Sequence, residues 1–143
     1  MKARITVLSR LAEIRAIHVR RMLGRVTYQQ NLCLRYRSNI TSLSRLSGFS
    51  SSTTTPLQRN NHQQYKATLH KMINLQVREL TLAESNLSRI RAELMQAMRQ
   101  EQVVVHLIES KMAQWQRALT VQEQKIQDGL ASQCWWRNQA PEM

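Results

Sequence analysis

Apolar residues recur along the first third of the chain at alternating steps of three and four: Ile5, Leu8, Ala12, Val19, Met22, Val26, Cys33, Tyr36, Ile40 and Leu43. Only Arg15 and Gln29 break the series. A repeat averaging about 3.5 residues keeps one stripe of a helix turned toward one neighbouring helix along its whole length. A compact core would need a wider stripe and a chain that turns often. The pattern therefore predicts a rod of long helices, a form that works by contact and position rather than by catalysis.

The rhythm stops at residues 47–56, SGFSSSTTTP, where glycine, hydroxyl side chains and proline together favour a loop. The restart is marked. Thr55 suits an N-cap, Pro56 the first helical position and Gln58 the capping-box partner, with Asn60 or Asn61 as other caps. A second stripe follows through Leu69, Ile73, Leu80, Ala83, Leu87, Ile90, Leu94, Ala97, Val104 and Ile108, interrupted by Gln76 and Glu101. It continues as Met112, Trp115, Leu119, Ile126 and Leu130. The two four-residue steps from Val104 to Met112 read as a stutter, which locally unwinds a coiled coil. Gly129 and then Pro141 mark a fraying end.

These elements predict an all-α fold: one antiparallel two-helix coiled coil formed by residues 1–143. Helix 1 is expected over about 4–46, the loop over 47–56, helix 2 over about 57–132 and a flexible tail over 133–143. The helices would measure roughly 65 and 110 Å. With the turn centred near Ser51, Met22 would face the neighbourhood of Leu80 and Ile5 that of Ala97. Everything past about Glu101 would overhang, still carrying an apolar stripe that calls for a partner.

Composition fits this reading. Three glycines and two prolines in 143 residues leave few turning points, and aromatics make up only 5%. Arg, Gln, Glu, Leu, Ala and Met dominate, the palette of long helices. The net charge of +12 is uneven: residues 1–46 hold ten Arg or Lys against the single acid Glu13, whereas residues 66–143 hold ten against eight. Such a bias reads either as a solvated basic face or as a surface for an acidic partner. No stretch approaches a membrane span of roughly 20 apolar residues. Arg10, Glu13 and Arg15 interrupt what a signal peptide would need to be apolar. Cys33 and Cys134 are far apart and form no disulfide framework, and Cys33 sits in the seam as a small core residue.

The chain carries little that could support catalysis. There is no phosphate-binding glycine loop, no shielded carboxylate pair and no Cys–His motif. His62 and His70 stand eight residues apart, too far for ligands on adjacent turns, and His18 and His106 are scattered, so neither metal nor cofactor is expected. Arg20, Arg21, Arg25, Arg35 and Arg37 raise nucleic-acid binding, yet they are spread along the seam-bearing helix and lack the dense basic block of a zipper reader. Stacking platforms for single strands are missing too. Trp115 reads as a seam residue or an anchor, and Trp135 and Trp136 as a binding hot spot or as packing on the helix end.

The segments LSRLAEIRAIHVRRMLG (Leu8 to Gly24), HQQYKATLHKMI (His62 to Ile73) and QEQKIQDGLASQ (Gln122 to Gln133) resemble the FliJ family, small stalk proteins of flagellar and related type III export systems. The resemblance covers both helices in the same order. The short loop and the Trp-Trp ending depart from the family pattern, as a member of a lateral or second flagellar system would.

The resemblance implies an antiparallel hairpin like the central stalk of rotary ATPases. Its termini-bearing end would enter the pore of a hexameric export ATPase and promote assembly and hydrolysis. It also implies links to the membrane export gate and to export chaperones, with peripheral placement at the cytoplasmic face of the inner membrane and no nucleic-acid partner. Arg4, Arg10, Arg15, Arg20 and Arg21 are the candidates for ring contact, with Met112, Trp115 and Leu119 as apolar support. Gate contact would fall near the closed end, on Tyr36, Ile40 and Leu43 facing Tyr65, Leu69 and Met72, residues that could equally be plain core. Two other classes remain open: a basic coiled-coil module for nucleic acid or an anionic membrane, and a structural dimer zipped through its overhangs.

Overall fold

A computed structural model describes residues 2–49 and 55–139; the expected turn centre at Ser51 and the tail from 140 on, including Pro141, lie outside the described residues. Two helices account for nearly everything described: α1 over Lys2–Gly48 and α2 over Pro56–Gln139, with no strand among the described residues. The fold is an all-α helical hairpin. The start of α2 is set by its cap. The Gln58 amide donates to Thr55 Oγ1 at 3.2 Å and the Arg59 amide to the Thr55 carbonyl at 3.1 Å, which satisfies donors that a helix start leaves without partners.

The end of α2 differs from expectation. Helix continues to Gln139 instead of fraying after 132. Gly129 costs a helix only about 1 kcal/mol against alanine and does not stop it alone, and no described glycine takes a left-handed φ. A proline opposes helix in the residue before it, so Pro141 is the first strong stop in the sequence.

The chain divides into two units, one of residues up to Ala16 with those from Arg99 on, the other of Ile17–Met98. In the Ile17–Met98 unit the heptad stripes meet. Val19, Met22, Val26, Gln29 and Cys33 of α1 are buried, as are Leu69, Ala83, Leu87, Ile90 and Ala97 of α2, with Tyr36, Leu80 and Leu94 packed against them. Burying each large apolar side chain contributes about 1.5–3 kcal/mol. No described side chain is less than 2% exposed, because a two-helix interface is one residue deep.

Register in this unit is visible in two bonds. Gln29 Nε2 donates to the Ala83 carbonyl at 3.1 Å, and Asn39 Nδ2 to Gln76 Oε1 at 3.2 Å. One heptad from the first bond puts Met22 beside Ile90, not Leu80 as a turn centred at Ser51 requires. By the second, the end of α1 at Gly48 is level with about Ala67, so the first turns of α2 run past it; Leu57 there is 70% exposed. The seam contacts, not the midpoint of the loop, fix which residues face each other.

In the other unit, Arg15 Nη1 donates to Gln100 Oε1 at 2.9 Å, and Arg4 and Leu8 flank Lys111. Ile5 is therefore level with about Lys111 rather than Ala97. The seam runs from buried Val104 through half-buried Ile108, Lys111 and Trp115, while Met112 is exposed. Steps of four, three and four continue the heptad, so the expected stutter is absent. Lysine lays its methylene stem along apolar surface and keeps its ammonium in water, which suits it to this position. The unpartnered part of α2 consequently begins after Trp115, not at Glu101: every residue from Gln116 to Gln139 is exposed.

Candidate interaction surfaces

Within the unit that holds both termini, α1 supplies the cations and α2 the apolar groups. Arg4 and Arg10 are exposed. Arg15 occupies a seam position and is half-buried; its Nη1 reaches Gln100, while its buried Nε has no partner. Met112 is exposed, Trp115 is half-buried where α1 gives out, and Leu119 opens the unpartnered stretch. Beyond it Val121, Ile126, Leu130, Trp135 and Trp136 are all more than a third exposed. The rings of Trp135 and Trp136 meet edge-on, with centroids 5.6 Å apart and planes at 84°. The geometry brings Arg4 level with Lys111 and Met112, while Arg10 and Arg15 lie further along α1, Arg15 level with Gln100.

In the Ile17–Met98 unit Arg20 and Arg21 are exposed. Arg21 borders a groove with Gly24, Arg25, Tyr28, Asn86 and Arg89, which sequence reading did not single out. Its signal was present as cations at i and i+4 followed by a tyrosine. Glu93 sits between Arg25 at 3.7 Å and Arg89 at 3.4 Å, so one carboxylate answers two guanidinium groups. Further along, Arg37 Nη2 donates to Glu84 Oε1 at 2.7 Å. That hydrogen bond, and then the carboxylate's charge, raise the Arg37 pKa above its ordinary value.

The six residues singled out for gate contact divide into two groups. Leu69 is buried, Tyr36 packs on the core, and Ile40 and Leu43 are half-buried seam residues. Tyr65 and Met72 are exposed. Register puts Leu43 level with Met72 but Tyr36 near Leu80, while Tyr65 belongs to the turns of α2 that outrun α1. Of the six, only Tyr65 and Met72 are exposed, by 50% and 45%. Among the described residues no three His, Cys, Asp or Glu side chains gather to hold a metal ion, and no helix is long and apolar enough to cross a membrane.

The model of the family described as flagellar FliJ protein matches residues 4–140. Neither a curated protein nor a solved structure matches the chain. The match takes in the capped start of α2, both seams and almost the whole unpartnered stretch after Trp115. By a match over nearly its full length and by its two-helix architecture, the chain belongs to the FliJ family, non-catalytic components of flagellar protein export.

Proposed function

We propose that the chain acts as a single hairpin and serves as the central stalk of a flagellar type III export ATPase. The end carrying both termini enters the hexameric ring, promotes its assembly and hydrolysis, and couples it to the export gate and to export chaperones at the cytoplasmic face of the inner membrane. One observation carries this reading: after Trp115, α2 continues for over twenty residues with every side chain exposed, yet keeps Leu119, Ile126 and Leu130 on one stripe. Most helical stability in proteins comes from packing an apolar face, and this stripe has none among the described residues. It is suited to being enclosed by something else, and a ring pore encloses a helix from all sides.

Charge supports the same end. Arg4 and Arg10 are exposed, and Arg15 is half-exposed. Acids lining a pore would attract them and orient entry. In this reading Arg4, Arg10, Arg15, Met112, Trp115 and Leu119 touch the ring from one unit, and Arg20 and Arg21 add a contact of their own from the other. Gate contact rests on Tyr65 and Met72, with Tyr36, Ile40, Leu43 and Leu69 holding the helices that present them. The test reverses Arg10, Arg20 and Arg21 to Glu together. Stimulation of the export ATPase is expected to fall several-fold with helicity unchanged. Undiminished stimulation would remove the electrostatic argument.

A further inference from the structure

The unit that holds both termini carries a second apolar stripe, apart from the seam. On α1, Val7, Leu11 and Ile14 follow one another at steps of four and three, and all are exposed, Val7 by 65% and Ile14 by 62%. On α2, Val103 and Leu107 precede Lys111 at steps of four; both are exposed, Val103 by 66%. Residues three or four apart share a helix face. Val7 lines a groove with Lys111, and Arg15 bonds Gln100 one turn before Val103, so the two stripes lie on the same side of the helix pair. The result is a two-helix apolar face with a groove at one end, lined by Ala3, Arg4, Val7, Leu8 and Lys111; side-chain ridges on such a face are what a third helix packs against.

The rim decides what fits. Arg4 lies three residues before Val7, and Arg10 lies three after Val7 and four before Ile14, so both flank the α1 stripe. Lys111 ends the α2 stripe, and Arg15 crosses the face to Gln100. No acidic residue shares this face at three- or four-residue spacing from the stripe members on α1. A second copy of the chain would set these cations against their own counterparts. The stretch after Trp115 of a second copy offers no acidic excess: Arg117, Lys125 and Arg137 equal Glu123, Asp128 and Glu142 in number.

We propose that this face docks an amphipathic acidic helix of a partner protein: an apolar stripe packs on Val7, Leu11, Ile14, Val103 and Leu107, and flanking carboxylates pair with Arg4, Arg10 and Lys111. The third helix converts the two-helix unit into a three-helix bundle and covers the exposed stripe. The helix and the ATPase ring would compete for Arg4 and Arg10, and the test contains no ATPase, so its outcome stands apart from that of the stalk reading.

The probe is a synthetic peptide of about three heptads with leucine at the core positions and glutamate on both flanks, which its own repulsion keeps monomeric. Its fluorescence anisotropy is followed on adding the full chain, beside a twin peptide with lysine for glutamate. Saturable binding of the acidic peptide only is expected, weakened at least about tenfold by Ile14→Glu or Val103→Glu and by Arg10→Glu, and weakened by added salt. Leu130→Glu, in the unpartnered stretch, should leave it unchanged. Since Ile14 and Val103 are exposed, these variants should keep the parent's circular dichroism and melting curve, which excludes unfolding as the cause. No saturable binding, equal binding of the lysine peptide, or loss with Leu130→Glu would each overturn the proposal. So would a dimer of the chain alone, seen by sedimentation and abolished by Ile14→Glu, since a second copy would then own the face.

Discussion

Gln29 Nε2 donates a 3.1 Å hydrogen bond to the backbone carbonyl of Ala83 on the opposite helix, and Gln29 is 8% exposed. Among the described residues it is the buried polar side chain in a core otherwise of Val, Met, Cys, Leu, Ala and Ile, and the main chain at the small Ala83 satisfies it. A single polar residue at a seam position specifies register at a cost in stability.

The consequence can be measured in two directions. Gln29→Leu is expected to raise the thermal midpoint while permitting register slips or higher oligomers, visible by sedimentation. Gln29→Ala should lower stability by about 1–2 kcal/mol through the lost bond and the space left behind. A fall of equal size for both substitutions would show that the bond contributes stability rather than specificity.

Ala83→Leu tests the other partner. Ala83 is 4% exposed, and a leucine there would push α1 away and break the Gln29 contact. A loss of about 1–3 kcal/mol is expected from overpacking. A denaturant midpoint within error of the parent would mean that the helices pack less closely than the Gln29 bond implies.

Gly24 provides a gain. It lies in the interior of α1, and a Cβ added there meets nothing within 4 Å. Gly24→Ala should stabilise the hairpin by about 0.5–1 kcal/mol through helix propensity alone. A lower denaturant midpoint would contradict the open surroundings of this position.

The limit of the paired region predicts a contrast. From Gln116 to Gln139 every residue of α2 is exposed, so ending the chain at Trp115 should leave the unfolding midpoint unchanged and lower only the total helical signal. Ile90→Ala, in the seam, should instead cost about 2–4 kcal/mol. A truncated chain as destabilised as Ile90→Ala would show that the last stretch supports the hairpin.

Much of this was legible in the sequence because heptad spacing is a local property. The α1 and α2 seams and the Thr55–Pro56 start follow from residues a few positions apart. Register was not legible, since it rests on contacts such as Gln29 with Ala83 between residues distant in the chain, and a loop midpoint is a poor substitute. Lys111 escaped because apolar patterning passes over a residue that buries its stem and not its charge, and Met112 was placed on the stripe in its stead. The exposure of the candidate residues was half legible. Exposed cations and the unpartnered apolar stretch can be read from composition and spacing, but Tyr36 and Tyr65 were grouped by a register the structure does not have.

The most direct test of the stalk role is to titrate the chain into the export ATPase of its own organism, following hydrolysis and particle mass together. The account predicts that both rise and saturate at one chain per hexamer, and that a chain ending at Trp115 fails to produce either rise while keeping its own melting curve. No response to the full chain, with the ATPase demonstrably active, would contradict it.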